Sequence, residues 1–122
     1  MRRVLALLFV AVVAVSCSRS DAPEAPRAFC VAARRYEKEL ERQVSKNQRD
    51  IPRQIELVEQ LYETAPPAIR RHARTFLDAM RHVQDDPSVR DNPKIKEAVD
   101  DVNRYAAQGC DVYQSNQSPG GI

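Results

Sequence analysis

Apolar residues recur at three- and four-residue steps through most of the chain between residues 28 and 110, with charged residues between them. This spacing is that of an amphipathic α-helix, because it places the apolar side chains on one face. Four such stretches are separated by short breaks, and none alternates apolar and polar residues as a strand does. The pattern predicts an all-α fold, a small up-down bundle of about four helices. The expected inward positions are Phe29, Ala33, Tyr36, Leu40, Val44, Ile51, Ile55, Val58, Leu61, Tyr62, Ile69, Ala73, Phe76, Leu77, Met80, Val83, Ile95, Val99, Val102, Tyr105 and Ala106.

Residues at the breaks set the expected bounds of the helices. Helix one is predicted over 28–47 and helix two over 51–64, where Asp50 is a natural N-cap. Consecutive prolines then end helix two, and helix three is predicted over 67–84. After a polar break at 85–88, Asn92-Pro93 opens helix four and Gly109 suits its C-terminal end.

The first sixteen residues have a different pattern. Arg2 and Arg3 precede an apolar run over residues 4–15 that no polar residue interrupts. A helix of this length measures about 18 Å, whereas a bilayer core requires about 20 residues. Basic residues before a short apolar run and small residues after it are typical of a signal peptide, here residues 1–16. The alternative is a buried N-terminal helix, but the run provides no solvent-facing side for one.

The apolar run ends in Ala14-Val15-Ser16-Cys17. These four residues resemble the lipobox of bacterial lipoproteins, in which small residues precede the cysteine that receives the lipid. The resemblance implies that Cys17 is acylated, becomes the new N-terminus and anchors the protein to the outer face of the cell membrane. The commonest form of the motif has Leu where Ala14 stands. Ala14 and Ser16 also satisfy the small-x-small rule of ordinary secretory cleavage, which would release the protein instead.

The chain has three cysteines, Cys17, Cys30 and Cys110. An odd number in an exported protein leaves one thiol over, and lipid on Cys17 would account for it. Cys30 lies near the start of helix one and Cys110 at the end of helix four, and these two ends meet in an antiparallel four-helix array. We therefore predict a Cys30–Cys110 disulfide, which an oxidising compartment permits. The alternative, two buried free thiols, does not fit an export signal.

The predicted organisation has four parts. Residues 1–16 are the signal peptide, and 17–27, polar with two prolines, form a lipidated tether. Residues 28–113 form the helical domain, and the polar segment 114–122 is a flexible tail. An Arg-rich helical domain bracketed by two cysteines behind such a leader resembles the small lipoproteins of high-GC Gram-positive bacteria.

The charge balance changes when the leader is removed. The whole chain of 122 residues has 19 Lys and Arg against 17 Asp and Glu, and loss of Arg2 and Arg3 makes the two numbers equal. A neutral domain lacks the basic excess of nucleic-acid-binding proteins. There is no Trp and only 6% of residues are aromatic, so a base-stacking surface is not expected either.

One basic cluster, Arg70, Arg71, His72 and Arg74, falls in the first turns of helix three. Cations there oppose the helix dipole, and this small cost makes Arg70, Arg71 and Arg74 candidate contacts for anionic lipid headgroups or wall polymer. A solvated face is the plainer interpretation. The other basic group, Lys46, Arg49 and Arg53, is expected at the opposite end of the bundle.

Other titratable groups have plain explanations. His72 and His82 are ten residues apart, so they diverge and cannot share one metal ion. A carboxylate–imidazole cluster is geometrically feasible for Asp78, His82 and Asp86. An acid/base pair is feasible among Glu56, Glu59 and Glu63. Both spacings also suit ordinary ion pairing on exposed faces, and we predict no catalytic residues, no metal and no cofactor.

These features favour a non-enzymatic module, anchored in the membrane by its N-terminal lipid, that binds an envelope protein or wall polymer. The alternative is a carrier or binder of a small apolar ligand or lipid within the bundle. The inward aromatic residues would line such a site, although core packing explains them equally. They are Tyr36, Tyr62, Phe76 and Tyr105.

Overall fold

A computed structural model describes residues 25–110, which fold into four α-helices and one short 3-10 helix with no strand among them. Each α-helix packs against its neighbours in the chain, and α4 returns to contact α1. This arrangement confirms the predicted all-α up-down bundle. The elements are α1 (Arg27–Ser45), α2 (Ile51–Thr64), α3 (Pro67–His82), the 3-10 helix (Pro87–Asp91) and α4 (Pro93–Cys110). The predicted signal peptide, Cys17 and residues 111–122 lie outside the described residues.

The α1–α2 connection is defined by backbone hydrogen bonds. Helix α1 ends at Ser45, two residues before the predicted end, and Asn47 adopts a left-handed φ of 49°. The Asn47 N–H donates to the Val44 carbonyl at 3.1 Å, and the Gln48 N–H donates to the Gln43 carbonyl at 2.9 Å. This pair of bonds is a Schellman motif, which reverses the chain direction.

Two other boundaries depend on capping residues. The Asp50 carboxylate accepts a hydrogen bond from the Arg53 N–H at 3.0 Å, which confirms Asp50 as the N-cap of α2. Helix α3 ends at His82, two residues before the predicted end. The break that follows it contains the 3-10 helix, which Asp86 caps by accepting from the Ser88 N–H.

Aromatic side chains fill much of the bundle interior in pairs. Phe29 and Tyr105 meet edge to face with ring centroids 5.4 Å apart, and this contact joins α1 to α4. Tyr36 and Phe76 meet in the same way at 5.8 Å, joining α1 to α3. Burial raises the pKa of Tyr36 far above its ordinary value, because the interior disfavours the phenolate.

One predicted inward position is wrong. Val44 is 81% exposed, whereas its neighbour Gln43 is only 3% exposed. In the last turn of α1, the inward-facing side chain packs against the connection to α2, and that side chain is Gln43. Helical periodicity identifies a face, but it does not specify which of two adjacent residues contacts a neighbouring segment.

Gly109 has a different role from the predicted one. It lies within α4, which continues to Cys110, so it is not a residue that follows the helix end. A Cβ atom at Gly109 would lie 2.7 Å from the Ala25 Cβ. Gly109 thus allows Ala25, which the sequence analysis places in the tether, to pack against α4, and Ala25 is buried.

We therefore expect Gly109→Ala to lower the free energy of unfolding by roughly 1–2 kcal/mol, because overpacking outweighs the gain in helix propensity. Urea unfolding of the disulfide-intact protein measures this change. The double variant Ala25→Gly/Gly109→Ala removes the clashing methyl group and should recover most of the loss. If Gly109→Ala alone were as stable as the wild type, the close approach of Ala25 to α4 would be wrong.

Candidate functional site

The first and last described segments of the chain meet at one end of the bundle. Cys30, in the first turn of α1, forms a disulfide with Cys110, the last residue of α4, and the two Cα atoms are 5.2 Å apart. Both cysteines are buried. Arg34 donates to the Cys110 carbonyl at 3.2 Å. We call residues 25–36, 58–74 and 102–110 the disulfide half of the bundle, and residues 37–57 and 75–101 the far half.

The arginines predicted to contact an anion lie in the disulfide half and remain exposed. The Arg70 guanidinium lies 5.2 Å from the centroid of the Tyr62 ring, a cation–π contact between α3 and α2. Arg74 Nε is 4.0 Å from Asp78 Oδ2, the limit of an ion pair. Arg71 has no ion pair with a carboxylate of residues 25–110.

His72, the fourth member of the predicted basic cluster, does not face the same way as the arginines. It is half-buried, and its Nδ1 is 2.8 Å from Oδ2 of Asp101 on α4, although the two groups are not aligned as a hydrogen bond. Arg104 donates to the other oxygen of Asp101 at 3.2 Å. Asp101 therefore joins α3 to α4, and the predicted cluster separates into an exposed arginine group and a residue of the helix interface.

The candidate carboxylate–imidazole cluster on α3 does not form. His82 Nδ1 lies 2.6 Å from the backbone carbonyl oxygen of Asp78, and not beside its carboxylate. The Asp86 carboxylate accepts hydrogen bonds from the Ser88 hydroxyl and N–H, which lower the pKa of Asp86. Within residues 25–110 no group of three or more His, Cys, Asp or Glu side chains is arranged to hold a metal ion.

Two of the three candidate glutamates of α2, Glu56 and Glu59, pair with arginines. Arg53 donates to Glu56 at 2.7 Å within the helix. Arg81 donates to Glu59 at 3.0 Å, which links α3 to α2. Both are exposed pairs of the kind that contributes little to stability.

Sequence reasoning missed a buried amide at the α1–α2 connection. Gln43 accepts from the Asp50 N–H at 3.0 Å and donates to the Asp50 carbonyl at 3.3 Å. It also donates to Glu39 at 2.9 Å and accepts from Gln54 Nε2 at 2.6 Å. The oxygen of this amide accepts two hydrogen bonds and its nitrogen donates two, so every donor and acceptor of the Gln43 side chain is used. The only signal in the sequence was its position seven residues after Tyr36, on the inward face of α1.

Glu39 is part of the same network. Hydrogen bonds, first from the Arg42 guanidinium and then from Gln43, lower the pKa of Glu39 from 4.5 to about 2. A carboxylate with a lowered pKa in the folded state stabilises the fold above its unfolded pKa. That stabilisation is lost as the pH falls through the window from about 4.5 to about 2.

We therefore expect Glu39→Gln to reduce the acid sensitivity of the fold. The wild type should lose thermal stability between pH 5 and pH 2.5 more steeply than the variant, because only the wild type must protonate this carboxylate. Melting curves followed by circular dichroism across that range measure the difference. Glu41→Gln, an exposed position on the same helix, is the matched control, and identical slopes for all three proteins would contradict the prediction.

Comparisons with known proteins add nothing to this geometry. The chain matches no protein-family model, no curated protein and no solved structure. Among the helices of residues 25–110, none has the length and apolar character needed to cross a membrane.

Proposed function

We propose that this chain is an exported bacterial lipoprotein whose helical bundle is a non-enzymatic module of the cell envelope. In this proposal the leader over residues 1–16 is removed and lipid on Cys17 anchors the protein to the outer face of the cell membrane. The observation that carries the proposal is the set of three cysteines. Cys30 and Cys110 are bonded to each other in the bundle, so Cys17, at the end of an apolar run, is the one left over.

The disulfide supports export independently of the leader. Disulfides persist in oxidising compartments outside the cytoplasm, and this one joins two buried cysteines, one on α1 and one on α4. The lipobox-like residues before Cys17 favour anchoring over release. The segment between Cys17 and Ala25 is polar, and it spans at most about 29 Å when fully extended.

A binding role agrees with what the titratable side chains do. His72 faces Asp101, Glu56 faces Arg53 and Glu59 faces Arg81, so these groups serve helix packing and surface pairing. The proposed partner is an envelope protein or an anionic polymer of the cell wall, contacted through the charged outer faces of the helices.

Fractionation of bacteria that express the protein tests the anchor. The wild type should sediment with membranes and dissolve only in detergent, whereas Cys17→Ser should lose this behaviour. The double variant Cys30→Ser/Cys110→Ser is the matched control, since it also removes cysteines but keeps the anchor. Detergent-dependent recovery of Cys17→Ser equal to that of the wild type would overturn the proposal.

The interior contacts bear on the alternative function, a carrier of an apolar ligand. The aromatic side chains that would line a ligand site pack against one another, and Tyr62 lies beneath Arg70. We therefore expect native mass spectrometry of the purified bundle to show no co-purified lipid other than the one covalently attached. A stoichiometric bound lipid would favour the carrier.

A further inference from the structure

Positive charge is concentrated at one end of the bundle. The disulfide half has two carboxylates, Glu59 and Glu63, against seven arginines. The far half has nine Lys and Arg residues against twelve Asp and Glu residues. The net charge of the described residues is therefore close to zero as a whole, but one half is basic and the other is acidic. The arginines, all of them exposed, are Arg27, Arg34, Arg35, Arg70, Arg71, Arg74 and Arg104.

Topology creates this basic half. The starts of α1 and α3 and the ends of α2 and α4 lie together, since successive helices are antiparallel and the disulfide joins α1 to α4. Arginines distant in sequence are thereby brought to one end. The sequence indicated only the α3 members of this group, and its second basic group, Lys46, Arg49 and Arg53, lies in the far half.

Most of these arginines are not neutralised by a neighbouring carboxylate of residues 25–110. Arg27, Arg35 and Arg71 have no ion pair with a carboxylate of residues 25–110. Arg34 donates to a neutral backbone carbonyl, and Arg70 lies over an aromatic ring. Within residues 25–110, Arg74 and Arg104 are the members of this group that face acidic side chains.

We propose that the disulfide half docks end-on against anionic phospholipid headgroups, which leaves the acidic far half directed away from the membrane. This inference extends the proposed function, because lipid on Cys17 would hold the chain at the same end, within about 29 Å of the bilayer surface. Each basic residue near an anionic bilayer raises the binding constant by roughly fivefold, an attraction that falls off within a Debye length of about 10 Å.

Three features favour lipid over other anionic partners. The basic residues lie in the half from which the chain leads back to Cys17, they come from three different helices, and the opposite half would be repelled by the same surface. Soluble wall polymer would have no reason to select the anchored end. A second copy could place its acidic half against the basic half, and the test below distinguishes this case.

Vesicle binding by the chain from residue 17 onward, with Cys17→Ser to remove the anchor, tests the docking. Vesicles of phosphatidylcholine alone are compared, at about 0.1 M salt where the Debye length is about 10 Å, with vesicles that contain one-third phosphatidylglycerol. The test variant is Arg27→Glu/Arg35→Glu/Arg71→Glu. The matched control is Lys46→Glu/Arg49→Glu/Lys94→Glu, which makes the same charge change at exposed residues of the far half.

We expect the unsubstituted chain to bind only the anionic vesicles. The test variant should lose more than roughly a hundredfold in affinity, because loss of three basic charges alone accounts for that factor and the added carboxylates are repelled. The control should lose less than about fivefold, because its changes lie beyond the screening distance. Circular dichroism establishes that each protein is folded. Should the charge reversals prevent folding, the milder Arg27→Gln/Arg35→Gln/Arg71→Gln chain replaces the test variant, with the same direction of change expected.

Several results would overturn the docking. They are equal losses in the test and control variants, no binding of the unsubstituted chain to anionic vesicles, binding to soluble polyphosphate but not to vesicles, and head-to-tail self-association that accounts for the sedimentation. Since the chain tested has no lipid, such results leave the Cys17 anchor intact. Loss of the anchor in the fractionation experiment would conversely leave vesicle binding unchanged.

Discussion

Replacing Cys30 and Cys110 together with serine is expected to lower the free energy of unfolding by up to about 4.5 kcal/mol. The two residues are 80 positions apart, so the bond constrains nearly the whole described domain in its unfolded state. A domain of this size has a total stability of only about 5–10 kcal/mol, and its core is small. We expect the double variant to melt roughly 20 °C lower than the wild type.

Guanidinium unfolding of the wild type, with and without reductant, measures the same quantity without a substitution. Cys17→Ser is the matched control, because it removes a cysteine that takes no part in the Cys30–Cys110 bond and should leave the melting temperature unchanged. A reduced protein within about 1 kcal/mol of the oxidised one would contradict this account of the bond.

The second large effect is expected from Gln43→Met, which should cost about 3 kcal/mol. Methionine has nearly the length of glutamine and no amide, so the Asp50 N–H loses its acceptor, whereas the Asp50 carbonyl keeps only its hydrogen bond from the Gln54 N–H. The Gln54 amide loses its acceptor as well. Buried polar groups left without partners each cost about 1–3 kcal/mol, and some regain water at the edge of this connection.

Gln48→Met is the matched control, because Gln48 is an exposed residue of the same connection. Urea unfolding gives the two stabilities, and hydrogen exchange reports the Asp50 amide directly. We expect this amide to exchange faster in Gln43→Met and at the wild-type rate in Gln48→Met. Equal stability of the two variants would show that the Gln43 contacts do not hold α1 to α2.

Local sequence signals predicted the helices and the disulfide well. Asp50 and the proline-containing breaks determine where helices begin, since capping and the missing proline N–H act within one or two residues. The Cys30–Cys110 pairing was predictable because four antiparallel helices bring the first and last ends together.

The features that were missed depend on contacts between distant segments. Gln43 is buried where Val44 was expected, because the partner that decides between them is the backbone at Asp50. Gly109 looked like a helix terminator, yet its function is to admit Ala25. Neither fact follows from helical period alone, since both require knowledge of which segment approaches the helix.

The candidate site was predicted only in part for the same reason. Arg70, Arg71 and Arg74 are exposed on one helix, but His72 turns toward Asp101 on α4. That Arg104 joins Arg27 and Arg35 in the same half cannot be inferred from charge runs, because most of the domain separates Arg104 from these two residues of α1.

The intact mass of the membrane-extracted protein tests most directly how the three cysteines are used. We predict a chain that begins at Cys17 with an added diacylglyceryl mass. Iodoacetamide should add nothing before reduction and two groups after it, from Cys30 and Cys110. A chain beginning at residue 17 without acyl mass, or one that alkylates at Cys17 before reduction, would contradict the account.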